Sequence, residues 1–491
     1  MIRFPARLRR AFLIACLVIL VYKFILGGDF SAAPATIESN AASILGWQSS
    51  EPEDEDAYVH FSRRLVRILK DTKPPVASLT KTNSISAIGF QDNKNKPLKR
   101  PDYVPITSTQ VDEMRLAHRS FVDGISNLTL PYKPGTRGIV STAGGAHLPI
   151  FIVSLRMLRR SGSVLPVELF LRADEERGDN YLCQELLPSL NARCVVLDDF
   201  FPSGLIKLEK YQYKIFSVLF SSFEEVLLLD ADNFPVHNVD HVFKTEPFTS
   251  NGLVTWPDFW ISSASEKFYK IQGKPVPMTT VRASTESGQV IVSKRTHSAA
   301  LLISAYYNYY GPSHYYPLLT QGGPGEGDKE TFIAGAAAVD APFYQVSEPV
   351  RILGYDENGE LRGVAMLQSN PVDDFVALVK PMPFTIHANF PKMDPNTLFN
   401  QDGPAINHQT GEHRRLWGDK EKTIQTFGMD VERELWEEIR HVACTLGGVF
   451  VHWKADAPRE WKKGTCEMVE EHIIKVFGVE VDENSYGSLA S

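Results

Sequence analysis

A basic excess is missing from this sequence. Its 51 lysines and arginines are outnumbered by 59 aspartates and glutamates, leaving a formal charge of -8 at pH 7. That balance produces no positive field to hold nucleic acid as a main partner. Cysteines are few and never tightly paired. Cys16 falls in an apolar stretch, and Cys183, Cys194, Cys444 and Cys466 lack the short spacing of a zinc site. Four remaining cysteines fit an oxidising compartment, and among the alternative pairings Cys183 with Cys194 and Cys444 with Cys466 are expected, being closest in sequence. No internal repeat is present. The G-x-G-x-x-G spacing of a dinucleotide-binding turn is also absent.

What is present is apolar content for a sizeable core, 43% of 491 residues, best read as one large α/β domain with appendages. Arg3, Arg7, Arg9 and Arg10 precede an apolar run over residues 11–26 that is interrupted only by Lys23. Positive charge ahead of such a run sets the N-terminus in the cytosol and the rest in the lumen. The implied division is a cytoplasmic tail over 1–10, a transmembrane signal anchor over 11–27, a stem over 28–105 and a lumenal domain over 106–491. The run is short for a span, but flanking residues and an upward-reaching Lys23 extend it to the thickness of a thin bilayer. A cleaved signal peptide ending near Ser31, Ala32 and Ala33 is the competing reading.

Within the stem, acidic residues over 51–56 and recurrent prolines, serines and lysines make a composition too polar to fold compactly. Tyr58, Phe61, Leu65, Ile68 and Leu69 nevertheless follow helical spacing, which predicts a stem helix or self-association segment. A second helix is expected from Thr109, on a Thr109-x-x-Asp112 capping box. Asn127-Leu128-Thr129 is a glycosylation sequon and agrees with a lumenal location.

From residue 131 onward, strand patterns alternate with helical ones. Residues 137–142 (RGIVST), 167–171 (VELFL), 194–197 (CVVL) and 226–229 (VLLL) read as buried strands, and 148–160 and 208–220 as helices. The pattern predicts a mainly parallel sheet covered on both faces, with ligands beyond the carboxyl ends of its strands. At the fourth such end stand Asp230 and Asp232. Hard divalent ions such as Mn²⁺ or Mg²⁺ are held by one or two carboxylates with phosphate oxygens and waters, an arrangement that neutralises a departing diphosphate. The bland alternative is a turn whose aspartates cap the next helix. Lys207, Lys210 and Lys214 fall on one side of the preceding helix, as point charges for phosphate or as a solvated face.

Seven motifs occur in order over residues 135–390: GIVSTAGGAHLP from Gly138, VSLRMLRRSGSVLPVELFL from Val153, VLLLDADNFPV from Val226, WPDFW from Trp256, ESGQVIVSK from Glu286, GDKETF from Gly327 and IHANF from Ile386. Together they resemble the fungal Golgi α-mannosyltransferases of glycosyltransferase family 71, the Mnn type, and look more like the α-1,2 than the α-1,3 branch. The resemblance implies a GT-A fold with a mixed, mainly parallel Rossmann-like sheet. It further implies GDP-mannose as donor, Mn²⁺ or Mg²⁺ as cofactor, and a mannose-containing glycan or glycoprotein as acceptor, in protein glycosylation or cell-wall mannan synthesis. Partners in a Golgi enzyme complex go with that location. Asp232 would meet the metal most directly and Asp230 the ribose or metal, while His387 would complete the metal sphere; a lone histidine is otherwise more often a core or surface residue.

Thr142, Gly144 and Gly145, after the first strand, would let a nucleotide approach the backbone, or simply form a tight turn. Arg172, with Asp174, is the second-strand candidate for base or ribose. Glu286 and Gln289 could hold the donor sugar's hydroxyls, since buried polar groups need partners. Asp328 and Glu330 open a helix where acidic residues are favoured regardless. The donor's α bond and the family's α linkages imply retention of configuration, and departure of the diphosphate builds positive charge at the anomeric carbon. Glu286, Asp328 and Glu330 are the candidates for the opposing face, and a front-face route needs none. Trp256, Asp258 and Trp260 suit an acceptor sugar, with core packing as the alternative. The tail from Trp417 through Trp436 to Trp461 is expected to close the domain. Rival readings are a UDP-sugar-dependent transferase, a non-catalytic glycan-binding relative, and a secreted metal-dependent hydrolase, for which no further ligand cluster is evident.

Overall fold

The computed structural model describes residues 52–173, 181–202, 204–376, 380–446, 449–450, 453 and 464–478. The expected anchor, its cleavage alternative, Asp174 and Trp461 lie outside these residues. No helix among the described residues is long and apolar enough to cross a membrane.

Short apolar runs build a central sheet. β1 (Lys133–Thr142), β2 (Val167–Leu171), β3 (Ala192–Val196) and β4 (Phe223–Leu229) pair in parallel, β1 lying between β2 and β4. Every residue of β2 is buried, as a strand covered on both faces requires. β5 (Asn233–Pro235) leaves this sheet, and β6 (Leu253–Ile261) and β7 (Ala283–Ser293) extend it, β7 running antiparallel between β4 and β6. With β8 (Tyr344–Gln345) the order is β3-β2-β1-β4-β7-β6-β8, mainly parallel with one reversed strand. A second, antiparallel sheet joins β5 to β11 (Pro383–His387), β10 (Glu360–Ser369) and β9 (Arg351–Glu357) in that order.

The principal helices are α1 (Pro52–Asp71), α2 (Ser108–Gly124), α3 (His147–Arg160), α4 (Gln212–Phe220), α5 (Lys294–Tyr309), α6 (Thr331–Ala338), α7 (Val431–Thr445) and α8 (Thr465–Phe477). Trp436 on α7 and Ile150 and Phe151 on α3 belong to the same core as the inner sheet residues, so the tail does close the body. Disulfides join Cys183 to Cys194 and Cys444 to Cys466, with Cα separations of 5.4 and 4.7 Å. Asn127 is exposed beyond α2.

The structure departs from the sequence reading in three places. α2 is capped two residues earlier than expected, by Thr107: its hydroxyl accepts from the Gln110 N–H, and the Gln110 side chain returns a bond to the Thr107 N–H. α4 begins only at Gln212, because Lys210 takes a left-handed conformation (φ 49°) and the Gln212 side chain accepts from the Glu209 N–H at 2.7 Å. Lys207 and Lys210 therefore stand off the helix that carries Lys214.

The third departure concerns the stem, since from Ala57 to Pro105 the chain packs as part of the body. α1 buries Phe61, Leu65, Val66 and Leu69. The hydroxyls of Tyr310 and Tyr306, on or next to α5, donate to the carbonyls of Leu69 (2.6 Å) and Thr72 (3.0 Å). Further along, the buried Arg100 guanidinium donates to the carbonyls of Ser262, Ala264 and Pro277. A helical stripe and one arginine that donates to three carbonyls suffice to dock a segment whose average composition is polar.

Replacing Leu65 by alanine should cost about 2–5 kcal/mol of unfolding free energy, the usual range for emptying a buried leucine site. A urea titration that showed no loss would detach α1 from the body. His118 on α2 is buried, bonds the Tyr307 hydroxyl at 2.7 Å, and is held neutral, burial lowering its pKa to about 4. The unfolded chain binds this proton more readily, so stability present above pH ~6.5 should drain away toward pH 4, by up to about 1.4 kcal/mol per unit from this group. Unfolding at pH 7, 6 and 5 should show a shallower decline in His118→Phe, and an identical decline would acquit His118.

Candidate active site

The chain leaves β4 at Leu229, turns through Asp230, Ala231 and Asp232, and enters the second sheet as β5. Both sheets grip the turn. The Asp230 N–H donates to the Gly288 carbonyl on β7 at 2.8 Å, and the Ala388 N–H beyond β11 donates to the Asp232 carbonyl at 3.0 Å. The β5–β11 register sets His387 opposite Asn233, which carries the imidazole to the motif across a separation of 155 residues.

His387 Nε2 lies 3.2 Å from Asp232 Oδ1 and 3.9 Å from Asp230 Oδ2, while Nδ1 lies 3.0 Å from Glu286 Oε1. Burial alone would discharge this imidazole, but Glu286 and Asp232 outweigh it and raise the pKa to about 10. Burial pulls the other way on Glu286 and Asp232, yet the imidazole holds both carboxyls below their usual range, with Lys392 adding to the effect on Asp232. Glu286 itself is saturated: Oε1 also accepts from the Gly288 N–H at 2.5 Å, and Oε2 accepts from Gln289 Nε2 at 2.8 Å. Lys214 Nζ donates to Asp230 Oδ2 at 2.7 Å and lies 3.6 Å from Asp328 Oδ2. Although burial opposes its charge, these carboxylates keep the Lys214 ammonium protonated. Gly288 is fixed by space, since a Cβ there would fall 2.5 Å from His387 Nδ1 and 2.8 Å from Glu286 Oε1.

Asp230, Asp232 and His387 can each offer one ligand atom within 4.8 Å of the others. Two hard oxygens and one intermediate nitrogen suit Mn²⁺ or Mg²⁺. A histidine whose second nitrogen faces a carboxylate also has the outer partner that ligating imidazoles usually require. The other grouping among the described residues, Cys444, Cys466 and Glu470, has its two sulfurs spent in a disulfide.

These groups face a cleft of about 860 Å³, within the range of small-molecule sites. Of the residues singled out in the sequence, Lys214, Asp230, Asp258, Trp260, Glu286, Asp328 and His387 line it. Asp232 stands just behind, against Lys392 and His387. Others do not reach it. Trp256 is 0% exposed, donates to the Ser369 carbonyl at 2.8 Å and stacks on Phe384, so it is core and not an acceptor platform. Glu330 accepts from Arg282 at 2.8 Å and from the Thr285 N–H at 2.9 Å, bracing β7 instead of facing a ligand. Gln289 is buried among Glu286, Asn233 and Thr385 and supports the wall from behind. Lys210 is exposed and off the cleft; Thr142 ends β1, Gly144 and Gly145 lie past it, and Arg172 lies past β2, none of them among its lining residues.

Other lining groups had not been singled out in the sequence. Lys392 bonds Asp232 Oδ2 from the loop after His387; its signal is a lysine five residues past that histidine. Lys329 donates to Asp258 Oδ2 at 2.6 Å. Gly89, Gln91 and Asp92 come from the supposed stem, where nothing in the composition points to a site.

Comparison with known proteins gives the arrangement a family. Residues 136–282 and 275–370 match the family described as "Mannosyltransferase putative". The α-1,2-mannosyltransferase MNN5 of Saccharomyces cerevisiae (strain YJM789) is 31% identical, over 75% of this chain and 78% of its own. The chain belongs to this mannosyltransferase family. The α-1,2-mannosyltransferases MNN21 and MNN24 of Candida albicans are each 31% identical, and the chain spans 66% and 60% of their lengths while 76% and 70% of it is covered. Among solved structures, a galactosyltransferase crystallised with donor and acceptor sugar analogues is 13% identical over 43% of this chain and 73% of its own, with a TM-score of 0.29, a likeness too slight to carry an argument.

In this member of the family, metal binding should depend on Glu286 although it is not a ligand. Glu286→Gln should weaken Mn²⁺ binding in the presence of GDP by roughly 10–100-fold, the usual loss on removing an outer partner of a ligating histidine. Asp232→Ala should weaken it further. Calorimetry or manganese paramagnetic resonance giving parental affinity in both variants would place the ion elsewhere.

Proposed function

We propose that this chain transfers mannose from GDP-mannose to a mannose-containing glycan with retention of configuration, forming an α-1,2 linkage. The observation that carries the reading is the convergence of Asp230, His387 and Lys214 on one cleft, with Asp232 just behind them, in a member of a mannosyltransferase family. Within this reading the fold is of GT-A type, the cofactor is Mn²⁺ or Mg²⁺, and the site faces the Golgi lumen behind an N-terminal type II anchor.

A divalent ion on Asp230, Asp232 and His387 would neutralise the diphosphate as the glycosyl bond breaks. The chain's own cations share that task. Lys214 is kept charged by its carboxylates, and Lys392 stands on the outer oxygen of Asp232, so both can serve phosphate oxygens as point charges. Glu286 has both oxygens engaged and acts by holding His387 in place. Asp328, beside Lys214 at 3.6 Å, is the carboxylate assigned to the mannosyl ring's hydroxyls. Burial raises its pKa to about 6, Lys214 opposing the rise and Asp230 and Glu326 adding to it. Departure and attack on the same face of the sugar need no enzyme nucleophile, which fits a site whose Asp230, Asp258 and Glu286 carboxylates are paired. A purely glycan-binding relative would have no use for these buried, mutually neutralised charges.

The test is a screen of the full chain with GDP- and UDP-sugars, Mn²⁺ and a mannose oligosaccharide. GDP-mannose should give transfer, and Asp232→Ala should lose about 100-fold or more of it, as expected when a group stabilising developing charge is removed. Equal turnover by the variant would remove the metal reading, and transfer from a UDP-sugar alone would remove the donor.

A further inference from the structure

We propose that the strap over residues 82–103 forms one wall of the acceptor-sugar subsite, with Gln91 and Asp92 as the polar contacts that select the acceptor. The inference deepens the mannosyltransferase reading above and rests on it for the identity of the sugar. This stretch precedes the residues matched by the family model, which begin at 136.

The strap is attached where the sheet would otherwise end. β8 pairs with β6 only at Val254 and Thr255. Farther along β6, Ile261 N–H donates to the Ile88 carbonyl at 2.9 Å, Phe90 N–H donates to the Phe259 carbonyl at 2.8 Å, and Gly89 bridges Trp260 in antiparallel sense. The strap thus adds a short edge strand to the Trp-Pro-Asp-Phe-Trp segment. Its return is locked by Arg100, buried and donating to three carbonyls. Asn93 closes the bend between, its side chain donating to the Gly89 carbonyl at 2.9 Å and its N–H to the Phe90 carbonyl at 3.0 Å. The bend presents Gln91 and Asp92 to the same cleft that Asp258 and Trp260 line.

What singles out these two side chains is that they are unspent. At the charged end of the cleft the polar groups are engaged: Lys214 with Asp230, His387 with Glu286 and Asp232, Lys392 with Asp232. Even Asp258 is taken by Lys329. Gln91 and Asp92 make no side-chain hydrogen bond or ion pair with any described residue, and both are exposed at the mouth. A hexose offers an apolar C–H face and a rim of vicinal hydroxyls. An aromatic ring beside a free amide and a free carboxylate answers both, and apolar walls with a few placed polar groups are how small-molecule sites set orientation. Trp260, Gln91 and Asp92 supply that combination on the wall of the same cleft.

The test uses the full chain with Asp92→Asn and Gln91→Ala, together and singly. Binding of a mannose disaccharide is followed by tryptophan fluorescence without donor, and KM is measured separately for the disaccharide and for GDP-mannose. The double variant should raise the disaccharide Kd and acceptor KM about five- to tenfold, the loss expected for one or two net hydrogen bonds, with the rise falling on acceptor and not donor KM. A thermal midpoint matching the parent checks that the strap stays docked. Unaltered disaccharide affinity, or a donor KM that climbs in step, overturns the proposal, as does a parent that binds no mannose disaccharide. If the parent binds the disaccharide through the strap but uses another nucleotide sugar, the donor assignment fails and the acceptor wall stands.

Discussion

Two backbone hydrogen bonds on either side of a three-residue turn set the terms for everything else in this molecule. One ties Asp230 to β7 of the central sheet, the other ties Asp232 to the loop beyond β11 of the second sheet. The carboxylates consequently sit where two independently braced layers meet, and neither can shift without moving a sheet. That rigidity matters because the charges are buried: Asp232 and His387 are 3% and 5% exposed. Ionised groups at that depth are tolerated only when paired, and removing one partner strands the rest. The pairing here is mutual, with the His387 imidazole between Glu286 and Asp232, and ammonium groups on Asp230 and Asp232.

How far the sequence foretold this depends on the distance over which each signal acts. An apolar run that breaks into two carboxylates is local, and β4 with Asp230 and Asp232 is read directly from it. His387 became visible only through family resemblance, because its place depends on β5–β11 pairing, which no local pattern encodes. Trp256 and Trp260 stand four apart on one strand and would share a face if β6 were regular. The β6–β7 register slips between Pro257 and Ile261, and the two rings separate into core and cleft. Lys207, Lys210 and Lys214 looked coplanar for the opposite reason: a left-handed Lys210 breaks the helix that would have aligned them.

The stem is the most instructive departure. A window average over residues 28–105 is polar, and polarity of that order argues against a core. Yet burial is decided by which face is apolar and by whether each buried polar group finds a partner. α1 contributes a stripe of buried side chains that includes Phe61, Leu65, Val66 and Leu69, and the terminal nitrogens of Arg100 donate to three body carbonyls. A segment with the composition of a tether can therefore be structural wall, and β6 gains an edge partner from it.

Gly288 leaves His387 no room on the side of β7, as the missing Cβ is already within 2.5 Å of the ring. The imidazole is thus backed by an anvil of main chain, with Glu286 wedged alongside. Lys392, by contrast, reaches Asp232 from a loop on a long, pliable stem, 36% exposed at its side chain. Of the two groups that grip Asp232, the histidine is the one held in place and the lysine the one with room to swing aside.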